Sequence, residues 1–242
     1  MKFNIKNYIM ESFKELLMNG RLILGIIIAL FPAVVMAGFI LKHPENAMFE
    51  IKHVSNFYCA FGLLAAVLTT LFFVDRDFGS NTISLINSSK RNRIAYAASN
   101  FIVSFVIAAI YAAIGIGTCV IASRMGVPGK LGIKFLSGFC INLILLIPSY
   151  FLFCYILVLF RMKKGMIYTL LSVALLFAPS IISNILPLIR NDVISKVIEN
   201  CPLYFYPIYA GSNVMSSTQY IVGIVCLILA IIIVIKKSIR YQ

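Results

Sequence analysis

Six long apolar runs without one Asp, Glu, Lys, Arg or His decide what this chain can fold into: Leu22–Leu41, Phe57–Val74, Ala98–Ser123, Phe135–Phe160, Met166–Ile189 and Gln219–Ile235. Each is about 17 residues or longer, enough at 1.5 Å per residue to cross a ~30 Å hydrocarbon layer as a helix. A charge at the centre of such a helix costs roughly 2.5–3.5 kcal/mol on insertion scales. Uncharged runs of this length therefore mark spans through lipid, not buried helices of a soluble domain. The expected fold is all-α, a single transmembrane domain over residues 1–242 with six membrane-spanning helices. Hydrophobic residues make up 61% of the chain and charged residues 12%, against about 45–50% and about 25% in globular proteins. Six spans and their short connections use up the length, which leaves no room for a soluble catalytic domain.

The net charge of +13 would fit a nucleic-acid binder, but its distribution argues otherwise. Counted by alternate connections, fourteen Lys and Arg fall on one side, in residues 1–21, 75–97, 161–164 and the tail, and seven on the other. The positive-inside rule makes the richer side cytoplasmic, with both termini there. The basic excess then serves topology and contact with anionic membrane lipids, and no nucleic-acid partner is expected. Five of the six cysteines lie inside spans, where Cys behaves as a small hydrophobe. No CxxC or Cys/His spacing points to a metal, and His43 and His53 stand ten residues apart in the first external connection. The first run exceeds the 7–15 residues of a signal-peptide core and five more follow it, so a cleaved leader is not expected.

Residues Phe3 to Asn19 are too polar to span. Ile5, Ile9, Phe13, Leu16 and Leu17 recur at helical spacing beside Tyr8, while Lys2, Lys6, Glu11, Lys14 and Glu15 take the remaining face. This pattern suits a helix lying in the headgroup plane. It reads equally as a topological anchor or as an elbow that passes motion to the first span.

The connection between the second and third spans, 75–97, is the most specific stretch. The span ends in Asp75-Arg76-Asp77, followed by Phe78, Gly79, Ser80, Asn81 and Thr82, a short run with Ile83, Leu85 and Ile86, and the basic break Ser88-Ser89-Lys90-Arg91. Acids before and bases after a short apolar run complement a helix dipole, so a short helix parallel to the membrane is expected, with Asp75 and Asp77 at its start.

These residues resemble the corresponding segment of ABC-2-type transporter permeases, in which an acidic pair, a Gly-Thr stretch, a Leu-rich turn and a Ser/Pro-basic break join the second and third spans. The chain departs from that pattern at Asp77, where the family often has Glu, and at the foot of the third span, where the family tends to carry Lys and this chain offers Asn100. The resemblance implies a membrane subunit of a bacterial ABC exporter in the cytoplasmic membrane. Asp75, Arg76, Asp77, Phe78, Gly79, Ser80, Asn81 and Thr82 would then dock on a separate ATPase subunit. ATP and Mg²⁺ would sit in that partner, since this chain has no GxxxxGK[ST]. It also implies a second permease copy, identical or related.

The third span carries Ala108, Ala112 and Gly115 at helical spacing, which serves either packing within the chain or a dimer seam. Pro32, Pro148 and Pro179 are expected to kink the first, fourth and fifth spans. Asn142, Ser149, Ser172, Ser180, Ser183 and Asn184 are the polar groups available to line a substrate path, or simply to bond back to their own helices. The 190–218 connection is external or re-entrant. It has Val193, Ile194, Val197 and Ile198 at helical spacing, then an aromatic stretch between Pro202 and Pro207, which fits short half-helices or a surface amphipathic helix. The resemblance points to outward movement of amphipathic or hydrophobic cargo, peptides first. A non-transporting immunity or scaffold protein, or an ion-coupled transporter, is the alternative. Spans free of acids, bases and histidines disfavour ion coupling and offer no nucleophile–base pair for an enzyme.

Overall fold

A computed structural model describes residues 3–43, 49–79, 89–189, 191–211 and 215–240. No strand occurs among them. The interfacial arm is α1 (Ile5–Met18), capped by the Asn4 side chain, which accepts from the Asn7 N–H at 3.2 Å. Gly20, at φ +64°, then turns the chain into α2 (Arg21–Lys42). That left-handed conformation costs a residue with a Cβ about 1–2 kcal/mol. There follow α3 (Ile51–Gly79), α4 (Lys90–Arg124) and α5 (Ile133–Leu159). The fifth span is α6 (Lys164–Ser172), a π-helical turn (Val173–Phe177) and α7 (Ala178–Ile185), closed by a 3-10 turn at Leu186–Leu188. Two short helices, α8 (Asp192–Glu199) and α9 (Pro202–Tyr209), lead to α10 (Ser217–Arg240).

Six of these stretches are long and apolar enough to cross a membrane, as the sequence predicts. Two of them are central: in the most apolar stretch of α3 67% of residues are buried, and in α5 61%, against 22% in α2 and 17% in the fifth and sixth spans. The helices overrun the apolar runs. α3 continues past Val74 to Gly79, and α4 begins at Lys90, well before Ala98. Lipid sets where charge must stop, but the backbone ladder continues wherever side chains still pack.

Several polar groups inside the bundle are satisfied locally, as a dry interior favours. Thr69, Thr70, Ser99, Thr118 and Ser149 each donate to the carbonyl four residues back, and Tyr58 donates to the Tyr111 carbonyl at 2.7 Å. Pro32 and Pro148 lie inside α2 and α5. Pro179 follows the π turn, where the Ala178 N–H reaches back to the Val173 carbonyl. The wider turn makes room for a proline ring that would otherwise press on the carbonyl four residues earlier. Among the small residues of the third span, Ala108, Ala112 and Gly115 are buried within the chain, so this stripe serves internal packing.

Gly115 marks a tight approach between rings. A Cβ there would meet the Phe139 and Tyr58 rings at 2.5 Å, whereas one at Gly117 meets nothing within 4 Å. Gly115→Leu is expected to destabilise the purified protein by about 1–3 kcal/mol through overpacking, and Gly117→Leu by under about 0.5 kcal/mol, the usual range for surface changes. Thermal unfolding in detergent checks the pair.

Candidate functional site

Burying a carboxylate inside an apolar bundle is costly unless every oxygen finds a donor. At the foot of α3, Asp77 is 2% exposed. Its Oδ2 accepts from Tyr8 Oη at 2.8 Å and from Tyr96 Oη at 3.0 Å. Its Oδ1 accepts from Arg76 Nε at 2.8 Å, with Arg76 Nη2 at 2.7 Å. Arg76 also pairs with Glu15 of α1. Tyr8 Oη lies 3.2 Å from Asn100 Oδ1, and Asn100 Nδ2 donates to the Tyr96 carbonyl at 3.1 Å. Phe3, Tyr8 and Tyr96 pack ring on ring over the cluster at centroid distances of 5.3–6.2 Å. Burial first, and then the Asp77 carboxylate, raise the Tyr8 phenol far above its usual range, so Tyr8 remains a donor at neutral pH. One carboxylate thus ties the arm, the end of α3 and the start of α4 into a single knot.

Asp75, two residues earlier, faces another helix. It accepts from Tyr168 Oη and pairs with Lys164 Nζ at 3.2 Å, fastening the start of the fifth span to α3. Further contacts gather at this same basic end. The Phe3 N–H donates to Asn92 Oδ1 at 3.1 Å, Arg93 donates to the Ile239 carbonyl at 3.0 Å, and Arg21 stacks 3.5 Å over the Phe72 ring. Phe3 and Ile239, near the two ends of the described chain, therefore lie at the same end of the bundle as Asp75, Asp77 and Asn92.

The sequence pattern sets Asp75 and Asp77 at the start of a separate membrane-parallel helix; the structure sets Asp75, Arg76, Asp77, Phe78 and Gly79 in the last turns of α3. An acidic pair reads as a boundary only if it faces water, and here both acids face protein. Ser80, Asn81 and Thr82, with Ile83, Leu85 and Ile86, lie outside the described residues. The partners the pattern leaves unassigned are Tyr8, Tyr96, Asn100 and Tyr168. The available signal is the two acids themselves, since a carboxylate at the end of an apolar run needs donors close by.

The polar residues considered for a path do not converge. Asn142 is fully buried: Nδ2 donates to the Tyr209 carbonyl at 2.7 Å and Oδ1 accepts from Tyr220 Oη at 2.9 Å. It joins α5, the end of α9 and the start of α10. Asn142 lies nine residues, about 14 Å, inside the Ile133 end of α5. Farther along α5, Ser149 lines a cavity of about 320 Å³ together with Cys201, Pro202 and Tyr206. The helix α9 therefore sits beside the middle of α5 and not beyond its end. Ser172 is half-buried, while Ser180, Ser183 and Asn184 are exposed on α7, a helix with no buried residue.

Compared with known proteins, the chain matches no family model and no curated sequence.

Asp77→Ala removes the acceptor of two phenols and a guanidinium. It is expected to cost about 3–5 kcal/mol, the range for breaking a buried ion pair, and to release α1. A cysteine placed at Ser12, 2% exposed in the native chain, should be inert to maleimide in the parent and reactive beside Asp77→Ala. Asp77→Asn, which keeps one acceptor oxygen, should give a smaller loss on both readouts.

Proposed function

We propose that this chain is the membrane-spanning permease subunit of an ATP-driven ABC exporter of the ABC-2 type, moving an amphipathic or hydrophobic substrate outward, peptides being the best-fitting class. The observation that carries the reading is the Asp77 knot. The connection through Ser80, Asn81 and Thr82 leaves the very turn of α3 that Asp77 fastens to the arm and to α4. A push on that connection from a docked partner would move α1, α3 and α4 together, which a passive anchor has no need to do. Asn100, where the family tends to carry Lys, closes the same cluster as a neutral group.

Two further features support it. The half-helix α9, held at membrane depth by Asn142, suits a device that closes the far end of a path. The weakly buried faces of α2, the fifth span and α10 leave lateral surface for a second permease copy. ATP and Mg²⁺ would be bound by the separate ATPase subunit. By the positive-inside rule the basic end is cytoplasmic, in a bacterial cell membrane. Alternating access follows from these parts: closure of the ATPases presses on the connection, the knot carries the displacement to three helices, and the outer half-helices part.

Gentle purification of the tagged chain from its native membrane, followed by mass spectrometry, tests this directly. An ATPase subunit with a nucleotide-binding loop is expected in the preparation. It should be lost when Ser80, Asn81 and Thr82 are replaced together by Glu, with membrane insertion unchanged. A preparation that is free of ATPase, or one that retains it in the triple variant, would overturn the assignment.

A further inference from the structure

The two helices α5 and α10 run in the same direction, and their facing residues keep the same spacing. Ser149, Phe153 and Ile156 of α5 and Cys226 and Ala230 of α10 line one cavity, and Phe160, just past the end of α5, meets Lys237 of α10. The first series steps by four, three and four residues and the second, Cys226, Ala230 and Lys237, by four and seven, each one stripe of a helix. The groove between them holds the 320 Å³ cavity, whose floor is formed by the start of α9. Phe153 and Leu203 at its edge are 40% and 49% exposed, so it opens sideways into lipid. Eleven residues of helix measure about 16 Å, close to half of a ~30 Å hydrocarbon layer. The groove is therefore one leaflet deep.

Its mouth is basic. Lys237 Nζ stands 4.1 Å over the Phe160 ring. Arg161 and Lys163 follow Phe160 directly, and both are exposed. Arg161 occupies the left-handed position (φ 60°) that usually takes glycine. The turn is closed by N–H bonds from Arg161 to the Val158 carbonyl and from Met162 to the Leu157 carbonyl. The acid of this corner, Asp75, is already held by Lys164 and Tyr168.

We infer that the α5–α10 groove is a binding site for an anionic phospholipid. One acyl chain lies between Phe153 and Ala230, and the phosphate rests on Lys237 and Lys163 beside Phe160. Charge complementarity fixes the headgroup class, and the depth of the groove fixes the tail. A soluble phosphate lacks the chain, and a zwitterionic lipid brings a headgroup cation toward Lys237 and Lys163.

The chain has no Trp, so Phe153→Trp gives a single tryptophan in the groove, excited selectively over tyrosine, and Ile156→Trp an alternative if the first perturbs folding. In bilayers of defined composition, lipids with brominated chains quench it on contact. Brominated phosphatidylglycerol is expected to compete about fivefold better than brominated phosphatidylcholine, the equivalent of ~1 kcal/mol for a cation near the membrane surface. In Lys237→Gln/Lys163→Gln the preference should fall to about one. The control Phe39→Trp, at the opposite end of the bundle, should show no preference in either background. Equal quenching by the two lipids in the Phe153→Trp protein, or a preference that survives the double lysine variant, would overturn the site. Loss of the preference on adding millimolar glycerol phosphate would also overturn it, by showing a headgroup site without a chain.

Discussion

A carboxylate buried at the end of a spanning helix must be surrounded by donors, and most of the arrangement at the basic end depends on meeting that demand for Asp77. Water cannot serve a group that is 2% exposed. Two phenols and a guanidinium do so instead, and they come from different parts of the chain: Tyr8 from the arm, Arg76 from α3 and Tyr96 from α4. None of these groups could be spared without leaving a charge or a hydroxyl unsatisfied in a dry interior. The arm is therefore not simply floating at the interface by amphipathicity. It is bolted to two core helices, with Arg76 bridging on to Glu15.

The spans are legible in the sequence because the cost of charge in lipid acts residue by residue and leaves an uninterrupted record. Their ends are less so. Asp75 and Asp77 look like the end of a helix when charge is equated with water, yet both are inside the protein contact surface, and α3 carries on to Gly79. The face of the arm is half legible: Leu16 is buried as its spacing implies, but Tyr8 and Glu15 also turn toward the bundle while Leu17 and Met10 stay exposed. Amphipathic spacing reports which side avoids water. It does not distinguish burial against lipid from burial against protein.

The 190–218 connection shows the same limit. Helical spacing at Val193, Ile194, Val197 and Ile198 and the break at Pro202 are readable, and α8 and α9 form there. The depth of α9 is not readable, because it depends on a long-range bond from Asn142 to the Tyr209 carbonyl, 67 residues away in sequence. From sequence alone, Asn142 groups with the residues available to line a path. A buried amide has both a donor and an acceptor to satisfy, so in a crowded bundle it is more readily used as a rivet.

The two ends of the bundle are in this sense built alike. At the basic end a buried carboxylate recruits the arm; at the other a buried amide recruits a half-helix. Each pulls a segment too short or too polar to span into contact with the central helices, and each contact adds a few strong, directional bonds to the apolar packing of residues such as Leu16 and Phe205. Hydrocarbon supplies no hydrophobic drive between helices, so directional bonds and close packing are what remain to hold such segments. The buried carboxylate and the buried amide that each tie several helices together, Asp77 and Asn142, stand at these two junctions.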